Sequence, residues 1–479
     1  MKKLFLLLLL LALPARPSPQ QAQAPRSPQP LVLTHLTIID ATGAPAQPDM
    51  TVVIRGDRVL ELGQSRTVRT PEGAQVVDAS GKVMIPGLWD MHVHWLHKDY
   101  LPLFIANGVT GIRIMWGTPF HHQWRQEIEQ GTLVGPRMAI ASAIVDGPKP
   151  IWPGSLAVGT DAEGRQAVIQ SKQAGADFIK VYSRLPREAY FAIADEAKKQ
   201  GIPFAGHVPG AVSVAEASDA GQKSIEHFTN VLEACSTREE ELRQAGADAW
   251  SHLPEGKAFP SRASLRQITR QTLETFSPDK ANVLFARLAR NHTWQCPTLT
   301  VQRNMAFIKD PAIHNDPRVK YMPPGIASGW DPTGDFRLQD RTEEDYELAK
   351  SVYRKLKELV VPMRRAGVEF LAGTDVLNPY CFPGFSLHDE LALLVEAGLS
   401  PMEALQTATL NPARFLGKEK DLGTVEKGKI ADLVLLDANP LEDIGNSRKI
   451  DAVVVGGRLL RKAELQRMLA DIEALASKK

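Results

Sequence analysis

From about residue 87 the chain repeats one rhythm, a short apolar run followed by an amphipathic stretch. The runs lie at 87–92, 110–115, 137–142, 178–182, 203–207, 223–227, 294–299 and 369–374. Helical spacing marks most of the intervals, such as 187–200 and 213–220. Strands separated by helices point to the α/β class, and eight of them point to a TIM-like (β/α)8 barrel. In such a barrel the C-terminal ends of the strands converge on one face, where catalytic groups collect.

The two ends of the chain have a different texture. Residues 31–80 read as short strands, with Gly56-Asp57 between 51–54 and 58–62 as a hairpin turn. Strand-like runs resume at 423–425, 431–436, 452–455 and 458–459, and 462–479 reads as a surface helix. The expectation is a small β-sandwich domain built from 31–84 plus 420–462, around a barrel spanning 85–419. Residues 231–293 break the barrel rhythm as a charged, helical insertion suited to covering the mouth. A proline-rich excursion follows at 303–345.

The N-terminus begins with Lys2 and Lys3, then an unbroken apolar run from Leu4 to Leu13. That is the pattern of a secretory signal peptide, here 1–24, and a run of this length is too short for a spanning helix, which needs about 20 apolar residues. Cleavage after Ala15 would also fit. The expectation is a secreted or periplasmic protein with no stable membrane span once the signal is removed. The formal net charge of +1 and the absence of long like-charged runs argue against a nucleic-acid partner and for a small-molecule substrate. A homo-oligomer is compatible with these features. The three cysteines, Cys235, Cys296 and Cys381, match no zinc spacing and read as structural thiols.

The sharpest local feature is PGLWDMHVH, residues 86–94. Alternation along a strand puts His92 and His94 on one face, where two imidazoles can chelate one ion. Alone, such a pair is more often a pair of surface histidines. The context changes the balance. Lys180, His207, His227 and Asp375 each close one of the later apolar runs. A lysine at the end of a buried strand is unusual, since an unpartnered ammonium is costly to bury.

These residues carry a family resemblance. The chain resembles the amidohydrolase superfamily, in its imidazolonepropionase-like and Xaa-Pro-dipeptidase-like branch. The motifs are PGLWDMHVH, GVTGIRIMWG, FIKVY, GHVPG, SIEHF and LAGTD, followed by LHDELALLVEAGLSPMEALQTATLNPARFLG and LGTVEKGKIADLVLLDANP. The resemblance covers about residues 31–460. It implies a binuclear centre of two divalent ions, with zinc the first candidate. His92, His94 and Asp375 would hold one ion and His207 and His227 the other. Lys180, carboxylated by CO2, would bridge them; a desolvated site favours the neutral amine that carboxylation requires. A metal-bridging hydroxide would attack the substrate, with Asp375 as general base and then acid.

The implied activity is hydrolysis of C–N bonds, amide or peptide-like, in small molecules such as dipeptides. Alternatives are a lactone, ester or cyclic-amide (imidazolone-type) hydrolase, or a silent barrel acting as a binding module. Tyr182, His388 and Arg113 are further candidates for substrate contact. Tyr182 shares the face of Lys180, and His388 follows the last strand. Arg113 resembles the arginine of the superfamily's GVTTVRD-like motif, which implies a structural support of the site as the alternative, although Ile114 replaces the acidic residue usual after it.

Overall fold

The computed structural model describes residues 29–251, 260–332, 335 and 337–478. The leader, residues 1–24, lies outside them. The chain opens with β1 (Leu31–Ile38), β2 (Gln47–Arg55), β3 (Arg58–Gln64), β4 (Gln75–Asp78) and β5 (Val83–Pro86). β2 and β3 form the expected hairpin, with Arg55 opposite Arg58 across Gly56-Asp57. One residue, Gly87, then joins β5 to the barrel. A Cβ there would lie 2.1 Å from the Thr110 hydroxyl, so only glycine allows this close passage.

The barrel strands are β6 (Leu88–Val93), β7 (Val109–Ile114), β8 (Arg137–Asp146), β9 (Leu156–Ala157), β10 (Phe178–Val181), β11 (Phe204–Gly206), β12 (Ser224–Glu226) and β13 (Trp294–Cys296). Seven run parallel in the order β13-β12-β11-β10-β8-β7-β6, and the short β9 pairs with β8 outside that path. The eighth barrel position, expected at 369–374, is filled by isolated bridges, Gln295 with Phe370 and Val93 with Val376. It is not a continuous strand because other backbone competes for its hydrogen bonds. The Ala372 N–H donates to the Thr407 carbonyl, and the Trp89 N–H to the Ala408 carbonyl. The end of the helix Pro401–Thr407 thus wedges between the first and eighth positions and satisfies both edges.

The chain returns to the first sheet through β14 (Leu433–Leu436), β15 (Ile450–Val455) and β16 (Arg458–Arg461). That sheet has the order β16-β15-β14-β5-β1-β2-β3, with β4 beside β1. The fold is therefore α/β, a (β/α)8-type barrel with a smaller sandwich sheet made from both ends of the chain. β5 and β14 tie the two together by alternation. Ile85 and Val434 face the barrel core, while Met84, Leu433 and Leu435 face the second core with Leu33, Val52 and Ile54. The strand expected at 423–425 is absent; Gly423, at φ +93°, turns the chain instead. The described residues of the 231–293 insertion are mainly helical, with Glu239–Ser251, Arg262–Glu274 and Pro278–Arg290 among the helices. No helix among the described residues is long and apolar enough to cross a membrane.

Candidate metal centre

His92 and His94 lie at the end of β6, Lys180 in β10, and His207 and His227 directly follow β11 and β12. Asp375 follows the eighth position. The structure brings all six to the mouth of the barrel. The Nε2 atoms of His92 and His94 are 3.2 Å apart. Asp375 Oδ1 lies 3.4 Å from His92 Nε2 and 3.2 Å from His94 Nε2, and its Oδ2 is 3.9 Å from His227 Nε2. The rings of His207 and His227 meet edge to face with centroids 5.0 Å apart. Ligands held at about 2.0–2.1 Å around one tetrahedral zinc are themselves roughly 3.3 Å apart, so the first three atoms have ligand spacing.

The outer nitrogens of three of these imidazoles are engaged. His92 Nδ1 is 2.8 Å from Glu226, His207 Nδ1 is 2.8 Å from the Ser183 hydroxyl, and His227 Nδ1 is 2.7 Å from Thr298 Oγ1. The Thr298 hydroxyl donates its own proton to the Pro297 carbonyl, so His227 Nδ1 must be the donor. A histidine that donates from Nδ1 presents a bare Nε2 lone pair to the centre, the usual arrangement at a metal. Burial, with the Lys180 charge second, pushes His92 and His207 well below the ordinary histidine range, which keeps them neutral. His227 is lowered by burial as well.

Two buried atoms here have no hydrogen-bond partner among the described residues, Lys180 Nζ and His94 Nδ1. Burial lowers Lys180 to about 8, against the opposing pull of Glu226 and Asp375. Burial alone would raise Asp375, but His227, His94 and Lys180 together hold it below the ordinary carboxylate range. Backbone strain is concentrated at the same place. His227, Thr298 and Asp375 adopt φ of +61°, +49° and +57°. Left-handed backbone at non-glycine residues costs on the order of 1–3 kcal/mol each and clusters at functional sites. The donor set, orphaned amine and bare lone pairs fit divalent ions. A second trio, His92, Glu226 and Cys296, also converges. It does not suit an ion, because Arg113, Ser224 and His92 Nδ1 already occupy the Glu226 carboxylate.

A cavity of about 460 Å3 opens above the centre, lined by His94, His207, His227, Asp375, Tyr182 and Trp116, with Trp152, Asp335, Arg337 and Asn378 on its outer wall. Tyr182 stacks on His207 at 4.1 Å, and its hydroxyl accepts from Trp152 Nε1 at 2.8 Å. Arg337 is gripped by Asp335, with Nη2 to Oδ2 at 2.6 Å, and also donates to Asn378. Among the described residues, the outer wall therefore comes from Trp152, the 303–345 excursion and Asn378, and none of the 231–293 insertion lines it.

Two candidates for substrate contact are buried and do not line this cavity. Arg113 is fully buried beneath the centre, its guanidinium 5.6 and 5.0 Å from the Phe178 and Phe415 rings. It donates to the Met91 carbonyl and to Glu226, which in turn holds His92. Its role is to fix that imidazole. His388 is buried away from the cavity, with Nε2 donating to the Asn107 carbonyl at 3.0 Å and Nδ1 2.9 Å from the Ser447 hydroxyl. Both nitrogens are spent on structure. Sequence reasoning missed Glu226 and Asp90, although each neighbours a named histidine by one or two positions. Asp90 accepts from the Thr374 hydroxyl and from the Thr374 and His92 N–H groups, which locks the two histidine- and aspartate-bearing loops together.

Residues 83–460 match the model of the amidohydrolase family. Ochratoxinase from Aspergillus niger is 23% identical over 448 residues, covering 79% of this chain and 76% of the relative. An imidazolonepropionase from Shouchella clausii is 37% identical over 118 residues, 22% of this chain and 26% of that protein. Among solved structures, bottromycin amidohydrolase superposes with a TM-score of 0.74 at 24% identity, covering 95% of this chain and 92% of its own. A Xaa-Pro dipeptidase with bound methionine in its active site gives 0.64 at 20% identity, covering 90% and 100%.

Proposed function

The chain belongs to the amidohydrolase family, and on that premise we propose that it hydrolyses a C–N bond, amide or peptide-like, in a small substrate at a centre of two divalent ions. The observation that carries the reading is the convergence of the His92 and His94 Nε2 atoms on Asp375 beside a lysine whose Nζ has no partner. His92, His94 and Asp375 would hold one ion, His207 and His227 the other. Carboxylated Lys180 would serve both, which turns an orphaned buried amine into an anionic oxygen donor. Bound there, the ions activate water and polarise the scissile carbonyl.

The protein's own groups do the rest. Asp375 takes the proton of the attacking water and passes it to the departing nitrogen, a transfer suited to a carboxylate kept ionised by its histidine neighbours. Glu226 and Arg113 hold His92 in one tautomer. Tyr182 and Trp152 form a wall that orients the substrate and limits water. Arg337, with one N–H on each of Nη1 and Nη2 lacking an acceptor among the described residues, suits a carboxylate at the outer end of the substrate.

The test is metal analysis with a substrate panel. Zinc-loaded enzyme should carry about two ions per chain, the number of sites proposed. It should also release amine from N-acyl amino acids or dipeptides. Turnover confined to lactones or esters would move the scissile bond, and fewer than about one ion per chain after loading would remove the premise. The fold shared with a Xaa-Pro dipeptidase and bottromycin amidohydrolase is the reason to begin the panel with amide bonds. We further propose export, resting on Lys2-Lys3 and the run Leu4–Leu13; N-terminal sequencing of the mature protein tests it.

A further inference from the structure

His227 leads through Phe228 and Asn230, all three in left-handed backbone, into the short helix Val231–Ala234. Glu233 lies on that helix. It lines a cavity of about 410 Å3 whose walls also include His207 and His227. The same two imidazoles line the cavity above the metal centre. They therefore form a partition between two compartments. The remaining walls of the second mix apolar side chains, Leu232, Ile268, Leu273 and Leu356 among them, with polar ones such as Thr269 and Gln302.

No described residue donates a hydrogen bond to the Glu233 carboxylate or pairs with it. The nearby charges of the insertion are spent on one another. Glu239 pairs with Lys280 at 2.9 Å, Glu241 with Arg238 at 2.6 Å and Glu240 with Arg243 at 2.5 Å. Burial therefore raises Glu233 to about 7, Glu239 adds to the rise, and Arg243 opposes it. A half-buried carboxylate with no partner among the described residues gains from a cation that joins it. The compartment adjoins the reacting centre, so the cation can belong to the substrate.

We propose that Glu233 and its compartment form a subsite for a primary ammonium carried on an aliphatic chain, as in a lysine-like side chain of the substrate. This rests on the hydrolytic reading above. The apolar walls take the methylene stem and the carboxylate takes the charged end. A single carboxylate is a poor metal site, since hard cations take about six or more oxygens, but it matches a single ammonium.

Two measurements test this. The first compares matched substrates with lysine or norleucine at each position flanking the scissile bond. The lysine member should be preferred about tenfold or more in kcat/KM at one position, the range of a charge-assisted hydrogen bond. Glu233→Gln should erase that preference while norleucine turnover stays near the wild-type rate. Glu233→Asp, which keeps the charge, should retain part of it. Equal loss on both substrates would assign Glu233 a structural role and overturn the proposal, as would a wild-type enzyme indifferent to the pair.

The second measurement needs no turnover. n-Pentylamine and n-pentanol are titrated into metal-loaded wild-type and Glu233→Gln enzyme by calorimetry. The amine should bind about tenfold or more weakly to the variant, and the alcohol equally to both. An amine held by metal alone would bind both proteins alike, which would overturn the proposal. Glu233-dependent amine binding in an enzyme that cleaves no amide would leave the subsite standing and defeat the hydrolytic reading instead.

Discussion

At the floor of the barrel, where the strands begin, a cavity of about 520 Å3 is lined by Arg58, Arg125, Arg137, Lys223, Trp89 and Phe415, among others. Each arginine there pairs with an aspartate, Arg58 with Asp421, Arg125 with Asp177 and Arg137 with Asp432. Lys223 donates to the Phe415 carbonyl. None of the described residues lining that cavity has a buried side-chain nitrogen or oxygen without a partner. The mouth also gathers ionisable residues, mainly histidines, and treats them differently. Lys180 Nζ and His94 Nδ1 are orphaned, and three residues accept left-handed backbone. A floor whose polar groups are satisfied contributes stability; a mouth that gathers unpartnered polar atoms is suited to take a ligand. Cavity size does not separate the two, since the floor cavity is the larger of the pair. Satisfaction of polar groups does.

The comparison yields predictions that decline in size. Asp375→Asn should lower kcat by about 10²–10⁴-fold, the contribution of a positioned proton-transfer group. Circular dichroism should show the fold intact. A variant with wild-type kcat would erase the distinction between mouth and floor.

His388 offers a contrast in buried histidines, because it lies outside the mouth and both its nitrogens are bonded. Burial lowers it to about 4. A histidine whose folded pKa lies below its unfolded value of about 6.5 binds fewer protons when folded, so stability falls as pH drops through 6.5 toward 4. The loss should total about 3 kcal/mol. His388→Gln should flatten that part of a pH-dependent urea unfolding series. An unchanged slope would show that His388 is not the group responsible.

Glu226→Gln weakens the link between Arg113 and His92. Metal affinity or activity should fall about 10–100-fold, the usual effect of an outer partner of a metal-bound histidine. Isothermal titration with zinc measures it, and an unchanged affinity would make the pair a feature of packing alone. The smallest effect belongs to the floor. Lys223→Met should leave kcat/KM within about twofold, because no interaction with the reacting centre is removed. A large catalytic loss would show that floor and mouth are coupled.

Much of the site was legible because a strand end is a local feature. His92 and His94 sit two residues apart, and Lys180, His207, His227 and Asp375 each close an apolar run. What supports them was not legible. Glu226 meets His92 across 134 positions and Arg113 across 113. His388 follows the last strand as a substrate contact might, yet its partners are Asn107 and Ser447, 281 and 59 positions away. The charged insertion looked like the cover of the mouth. Among the described residues, Asp335 and Arg337 of the later excursion wall the main cavity, and the insertion walls the compartment beside it.

By itself, then, the sequence determined the alternation of strand and helix, the second sheet drawn from both ends, and the residue types gathered at the barrel's mouth. These follow from periodicity and chain order, which are local. Tertiary structure alone decided which nitrogen of each histidine is engaged, which buried charge has a partner, and which loops wall the cavity. Those are matters of distance between residues far apart in the chain, fixed only when the strands close and water is excluded.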